Sequence, residues 1–222
     1  MGIQGAIFDL DGTLANTLPD LTEAMNHALG TLGRSPCSQE EVRRWVGEGL
    51  PTLCRRALSR SSPGGFDVPD DAMAIRMAQV FTAYYSDHRL GKTRPYEGIP
   101  ELLDELARRG IPMAVLSNKP HEHTRPMVEA LFSRWLWVAV EGYRAEEYRK
   151  PDPRTALEII ARMGGQASRI MLVGDSATDI QTGRNAGVVT VGAAWGFRDR
   201  PELVDAGADL VIDHPLDLVR YL

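Results

Sequence analysis

GAIFDLDGTLAN, residues Gly5 to Asn16, sets two aspartates, Asp9 and Asp11, two residues apart at the end of a short apolar run. Ala6-Ile7-Phe8 is too short for a helix and Asp-Gly comes soon after it, so Gly2 to Phe8 reads as a buried strand. Taken alone, Asp11-Gly12 is a turn signal, because both residues favour turns for local reasons. A calcium loop would need acidic or amide residues at alternate positions and a late glutamate, and Gly12-Thr13-Leu14-Ala15 supplies neither.

The chain on either side of this stretch predicts the architecture. From Thr17 to Leu32 the residues Leu18, Leu21, Met25, Leu29 and Leu32 recur at threes and fours, which predicts an amphipathic helix with Thr17 as N-cap and Gly33 as its end. Ser38-Gln39-Glu40-Glu41 is a capping box opening a short helix towards Trp45, and a further helix runs after Gly47-Glu48-Gly49 over Leu50 to Leu58. Ser61 to Asp71 reads as a loop, and Met73, Met77, Val80, Phe81 and Tyr84 mark another long helix. Beyond Arg94-Pro95, helices at Pro100–Arg109, Glu122–Phe132, Pro153–Met163 and Asp179–Ala186 alternate with strands. Those strands are Pro112–Leu116, Trp137–Val140, Ile170–Val173, Val188–Val191 and Leu210–Ile212. Such alternation, after a stretch that is all helical, predicts an α/β fold, a Rossmann-like parallel sheet core with an inserted α-helical lobe. The expected boundaries are residues 1–15 and 94–222 for the α/β core and 16–93 for the helical lobe, the parts that the resemblance described below makes catalytic core and cap.

With 222 residues, 43% hydrophobic and 25% charged, the chain can bury a sizeable core unaided. A net charge of -5 and a pI near 5.6 give no electrostatic reason to expect nucleic acid. No apolar run is long enough to span a bilayer and the N-terminus lacks the plan of a signal peptide, so no membrane partner and a cytoplasmic location are expected. Cys37 and Cys54 lack a CxxC pattern and read as small buried apolar residues.

In open α/β sheets, ligands bind beyond the carboxyl ends of the strands. Asp9-Leu10-Asp11-Gly12, Ser117-Asn118-Lys119 and Gly174-Asp175-Ser176 would all gather on that rim, with Asp179 close behind. Clustered carboxylates raise one another's pKa and so usually hold a cation; an all-oxygen site suits Mg²⁺, and phosphate is its natural partner. Ser117 offers a hydroxyl and Lys150, in RKPDP, a positive charge for phosphate oxygens. Lys119 reads as a solvated surface residue, and Trp195-Gly196-Phe197 as packing outside the site.

DLDGT, Ser117 after a strand, Lys150 in RKPDP and GDSATDI, in this order and spacing, resemble the four motifs of the haloacid dehalogenase superfamily, specifically its phosphatases. The resemblance covers nearly the whole chain, cap insertion included. It implies that Asp9 attacks phosphorus, that Asp11 serves as acid and then base, and that Ser117 and Lys150 stabilise the transferring group. It further implies Mg²⁺ held by Asp9, the Asp11 backbone carbonyl and Asp175, with Asp179 in the outer shell or positioning Lys150. Thr13 and Asn118 fall on the substrate side of these motifs. An acid at position 11 separates the chain from the dehalogenases, which lack one. The absence of a lysine before Lys92 separates it from the phosphonate-cleaving members, which use a cap lysine.

Arg43-Arg44-Trp45-Val46-Gly47-Glu48-Gly49 resembles the cap loop of bacterial phosphoglycolate phosphatases, which makes Gly47, Glu48 and Gly49 candidate substrate-binding residues. The expected reaction is Mg²⁺-dependent hydrolysis of a small phosphorylated metabolite, 2-phosphoglycolate, by a monomer or homodimer. A β-phosphoglucomutase-like phosphomutase, or a phosphatase for an amino-sugar phosphate, nucleotide or pyrophosphate, is the alternative.

Overall fold

Gly5–Phe8 forms strand β1, buried at all four positions and paired in parallel on both sides, with β2 (Met113–Pro120) and β4 (Ile170–Gly174). A strand without a solvated face can be apolar throughout, which is why GAIF shows no alternation. The computed structural model describes residues 2–60 and 71–222. With β3 (Trp137–Tyr143), β5 (Val189–Ala193) and β6 (Leu210–Ile212), the sheet runs β3-β2-β1-β4-β5-β6, every neighbour parallel. This is a doubly wound order that reverses between β1 and β4, and a crevice opens at such a reversal. Phe8 lies opposite Val115 on one side and Val173 on the other, so three strands reach the same level together.

The chain divides into two compact units, Met1–Asn16 with Pro95–Leu222, and Thr17–Arg94. The second unit contains α1 (Leu18–Thr31), α2 (Gln39–Trp45), α3 (Leu50–Arg60) and α4 (Asp71–His88). The loop expected over Ser61 to Asp71 lies outside the described residues except for Asp71, which opens α4. The Ser38–Glu41 capping box is present: Glu41 Oε2 accepts from Ser38 N at 2.8 Å and Ser38 Oγ from Glu41 N at 3.3 Å. Thr17 does not cap α1 with its side chain. Asp20, in the first turn of α1, instead accepts from Lys92 N at 2.9 Å and from Thr93 N and Oγ1 at 2.8 and 2.7 Å. These bonds tie the two ends of the helical unit to each other.

In the α/β unit, α5 (Ile99–Arg108), α6 (His121–Phe132), α7 (Arg154–Met163), α8 (Ala177–Ala186) and α9 (Arg200–Asp205) surround the sheet. Ile7, Leu116, Ile170 and Leu172 from the strands form one apolar cluster with Ile159 and Ile160 of α7. α9 has no counterpart among the expected elements, because its six residues bury only Leu203 and leave no periodicity to read. Both cysteines are free and buried, as expected. Among the described residues no helix is long and apolar enough to cross a membrane.

Candidate active site

One residue beyond β1, Asp9 N still donates to Val173 O at 2.9 Å, so the ladder fixes the backbone from which this carboxylate projects. Lys150 Nζ donates to Asp9 Oδ1 at 2.8 Å and to Asp179 Oδ1 at 2.6 Å. The other oxygen of Asp179 closes the capping box that starts α8, accepting from Ser176 N at 3.1 Å and Ser176 Oγ at 2.6 Å. Asp179 thus serves at once as a helix cap and as an anchor for Lys150. Asp175 Oδ2 accepts from Phe197 N at 2.7 Å, and its Oδ1 from Thr13 Oγ1 at 3.3 Å. Carboxylate oxygens of Asp9, Asp175 and Asp179 lie within 4.8 Å of one another, and all three residues are buried. Asp11 is not a member of that group.

Burial pushes the Asp9 carboxyl up to about 6, with Asp179 and Asp11 adding to the rise and Lys150 opposing it. Burial, then the neighbouring Asp179 and Asp9, hold Asp175 well above the usual carboxylate range. For Lys150 burial favours the neutral amine, but Asp179 and Asp9 outweigh it and keep the ammonium charged. Fully ionised, Asp9, Asp11, Asp175 and Asp179 against Lys119 and Lys150 leave two negative charges in excess. Hard oxygen donors with that excess fit one divalent cation.

β2 extends beyond the expected Leu116 to Pro120 and carries Ser117, Asn118 and Lys119 within the strand. Ser117 and Lys119 are buried and Asn118 half-buried along this stretch, where the pairing with β3 shifts register. Ser117 is buried, and its Oγ accepts from Lys119 N at 3.2 Å. Asn118 brackets the backbone of Lys150, donating to its carbonyl at 3.1 Å and accepting from its N–H at 2.8 Å. Lys119, expected at the surface, is 7% exposed and faces inward, its Nζ 3.1 Å from both carboxylate oxygens of Asp11.

The Trp195-Gly196-Phe197 loop after β5, expected outside the site, is part of it. Phe197 supplies the N–H on Asp175, and Trp195 Nε1 donates to Thr13 O at 3.0 Å. A Cβ on Gly196 would stand 2.3 Å from Asp175 Cβ and 2.4 Å from Gly12 O, so only glycine lets the loop approach. Gly12 has φ +88, and a Cβ there would meet Asp175 Oδ2 at 2.3 Å. A glycine between two aromatics directly after a sheet strand was the sequence signal for this contact.

Gly47, Glu48 and Gly49 lie in the helical unit between α2 and α3. Both glycines are left-handed, with φ of 118 and 85. Glu48 Oε1 accepts from Arg56 Nη2 at 2.6 Å, and Arg56 Nη1 donates to Trp45 O at 2.9 Å.

Residues 6–193 match the sequence pattern of the haloacid dehalogenase-like hydrolases. The chain belongs to this family. This haloacid dehalogenase-like hydrolase is 36% identical over 208 residues to a phosphoglycolate phosphatase of Agrobacterium fabrum, covering 94% of this chain and 87% of the relative. It is 37% identical over 219 residues to a phosphoglycolate phosphatase of Rhodospirillum rubrum, covering 99% and 90%. A crystal structure from Lactobacillus delbrueckii subsp. bulgaricus, provisionally assigned as a phosphoglycolate phosphatase, is 32% identical. It superposes with a TM-score of 0.92, covering 100% of this chain and 98% of that one. The hydrolase is thus phosphoglycolate phosphatase-like, and the α/β core with its inserted helical domain is the fold of that neighbour.

Proposed function

We propose that this hydrolase cleaves small-molecule phosphate monoesters through an aspartyl-phosphate, with 2-phosphoglycolate as substrate and Mg²⁺ as cofactor. The observation that carries the reading is the different setting of the paired acids. Asp9 sits in the buried acidic group against Lys150, while Asp11 lies outside that group, paired with Lys119. The phosphoglycolate phosphatases it resembles over most of their length support the choice of ester.

An oxygen of Asp9 attacks phosphorus, and the ester P–O bond breaks with its electron pair passing to the departing alkoxide. Asp11, protonated at that moment, gives the alkoxide its proton. Water then attacks the phosphorus of the aspartyl-phosphate and yields a proton to Asp11. The bond from Asp9 to phosphorus breaks, inorganic phosphate leaves, and both aspartates return to their starting state. Ser117 and Lys150 stabilise the phosphoryl oxygens in both steps. Thr13 and Asn118 contribute through the groups they hold, Asp175 and Lys150. Asp9, the Asp11 carbonyl and Asp175 would hold Mg²⁺, and Asp179 would keep Lys150 in place. Bound there, the ion supplies positive charge that lets a phosphate dianion approach a carboxylate.

Phosphate release over a panel of esters tests the reading. The expected result is Mg²⁺-dependent release from 2-phosphoglycolate, with a preference of roughly tenfold or more over sugar phosphates, nucleotides and pyrophosphate, and near-complete loss in Asp9→Asn. Full activity in that variant, or fast isomerisation of β-glucose 1-phosphate with little phosphate release, would overturn it.

A further inference from the structure

We infer that Lys119 is a positioning residue for the general acid, holding the Asp11 carboxyl group in the direction from which it must reach the leaving oxygen. The inference rests on the proposed reaction and adds to it a residue that no motif points to.

The two buried lysines divide the acids between them. Lys150 takes Asp9 and Asp179, at 2.8 and 2.6 Å, and Lys119 takes Asp11. Contact at 3.1 Å with both oxygens places Lys119 Nζ evenly across the Asp11 carboxyl group and sets the distance between them.

Lys119 is itself held at the backbone. Its N–H donates to Ser117 Oγ, and its carbonyl accepts from Thr124 Oγ1 at 3.1 Å, which also donates to Pro120 O at 3.0 Å. Gly142 of β3 packs so closely that a Cβ there would stand 2.7 Å from Lys119 O. With its side chain 4% exposed, the lysine has little room to swing away. A charged group buried this thoroughly is costly unless its N–H groups find acceptors, and the oxygens of the Asp11 carboxyl group supply them. The same contact keeps the Asp11 side chain apart from the acidic group formed by Asp9, Asp175 and Asp179. One carboxylate is thereby reserved for proton transfer.

A residue that acts through the general acid leaves a signature that a structural residue does not. The value of kcat/KM reports steps up to departure of the alcohol, so it feels loss of the acid strongly for an alkyl leaving group and weakly for an activated one. The experiment measures kcat/KM with 2-phosphoglycolate and with 4-nitrophenyl phosphate for wild type, Asp11→Asn, Lys119→Met and the double variant. Lys119→Gln, which keeps a hydrogen-bond donor, is added in case the methionine variant folds poorly. General acid contributions are about 10² to 10⁴-fold, so Lys119→Met should lose about 100-fold on the alkyl ester and less than about 5-fold on the aryl ester. The double variant should be no worse than Asp11→Asn alone, because removing the lysine cannot misplace an acid already gone. Lys119→Gln should fall between wild type and Lys119→Met on the alkyl ester.

Equal losses on both esters, or a full additional loss in the double variant, would overturn the inference while leaving the phosphatase reading intact. Lys119 would then act on the substrate itself or only on the fold. If wild type releases phosphate from neither ester, the reading fails and the inference falls with it.

Discussion

At the scale of single residues, the acids of the site set a pH dependence that the metal-free protein should reveal. Burial lifts Asp9 from 3.8 to about 6. The native protein therefore keeps a proton that the unfolded chain releases, and the stability this provides is full below about pH 4 and lost as pH rises through about 6. Thermal denaturation in chelator measures the loss. Asp9→Asn should melt several degrees above wild type near pH 7 and lose most of that advantage near pH 4.5; a constant difference would refute the assignment. A divalent cation added near pH 7 should raise the wild-type Tm more than that of the variant, since binding to the native state alone stabilises it. In the helical unit, burial pushes the Cys54 thiol up to about 12. At pH 8 almost no thiolate is present, so iodoacetamide should label Cys54 slowly in native protein and readily in urea. Rapid labelling of the native protein would show that α3 opens locally.

At the scale of elements, the loop after β5 matters because it touches Asp175 with backbone atoms. Gly196→Ala would press a methyl group against Asp175 and Gly12, and disturbing groups that orient a metal ligand costs about 10 to 100-fold in metal affinity. Calorimetric titration of Mg²⁺ should show that loss. Gly30→Ala in α1 is the matched control: nothing lies within 4 Å of its new Cβ, and alanine should gain up to about 1 kcal/mol of helix stability. An unchanged Mg²⁺ affinity in Gly196→Ala would mean that the loop yields.

These two glycines also show where a sequence reading reaches its limit. The strand ends that carry Asp9 and Asp175 were legible, because buried parallel strands are short apolar runs and the residues just past their carboxyl ends must lie on the rim. The Trp195–Phe197 loop was signalled only by a glycine between two aromatics soon after a strand, since the backbone N–H that meets Asp175 carries no residue signature of its own. Lys119 was hidden for another reason. Its direction depends on β2 continuing to Pro120, and a strand expected to end at Leu116 leaves the lysine in a loop with no defined face. The Asp179 side chain, one oxygen on Lys150 and the other in the capping box of α8, was half legible: an outer role or the positioning of Lys150 was expected, and the contact with Lys150 is there, but its duty as a helix cap was not expected.

At the scale of the whole molecule, the groups assigned to the chemistry, Asp9, Asp11, Ser117, Lys119, Lys150, Asp175 and Asp179, all belong to the α/β unit, while Gly47, Glu48 and Gly49 belong to the helical one. On the proposed reading, this division separates what sets the rate constant for any ester from what selects among esters. Arg56 is the handle on the second part, because its guanidinium holds both Glu48 and the carbonyl of Trp45. The Arg56–Glu48 pair is partly exposed, 34% and 58% at the side chains, and such pairs contribute little to stability. Arg56→Ala should therefore leave Tm nearly unchanged while loosening the loop, and a binding loop that must be ordered on each encounter lowers affinity. We expect KM for 2-phosphoglycolate to rise about 3 to 10-fold, with Mg²⁺ affinity as in wild type because every proposed ligand lies in the other unit. Steady-state kinetics together with Mg²⁺ titration distinguish the outcomes. A wild-type KM would remove Glu48 and its flanking glycines from substrate binding, and a changed Mg²⁺ affinity would show that selectivity and chemistry are not divided between the units as proposed.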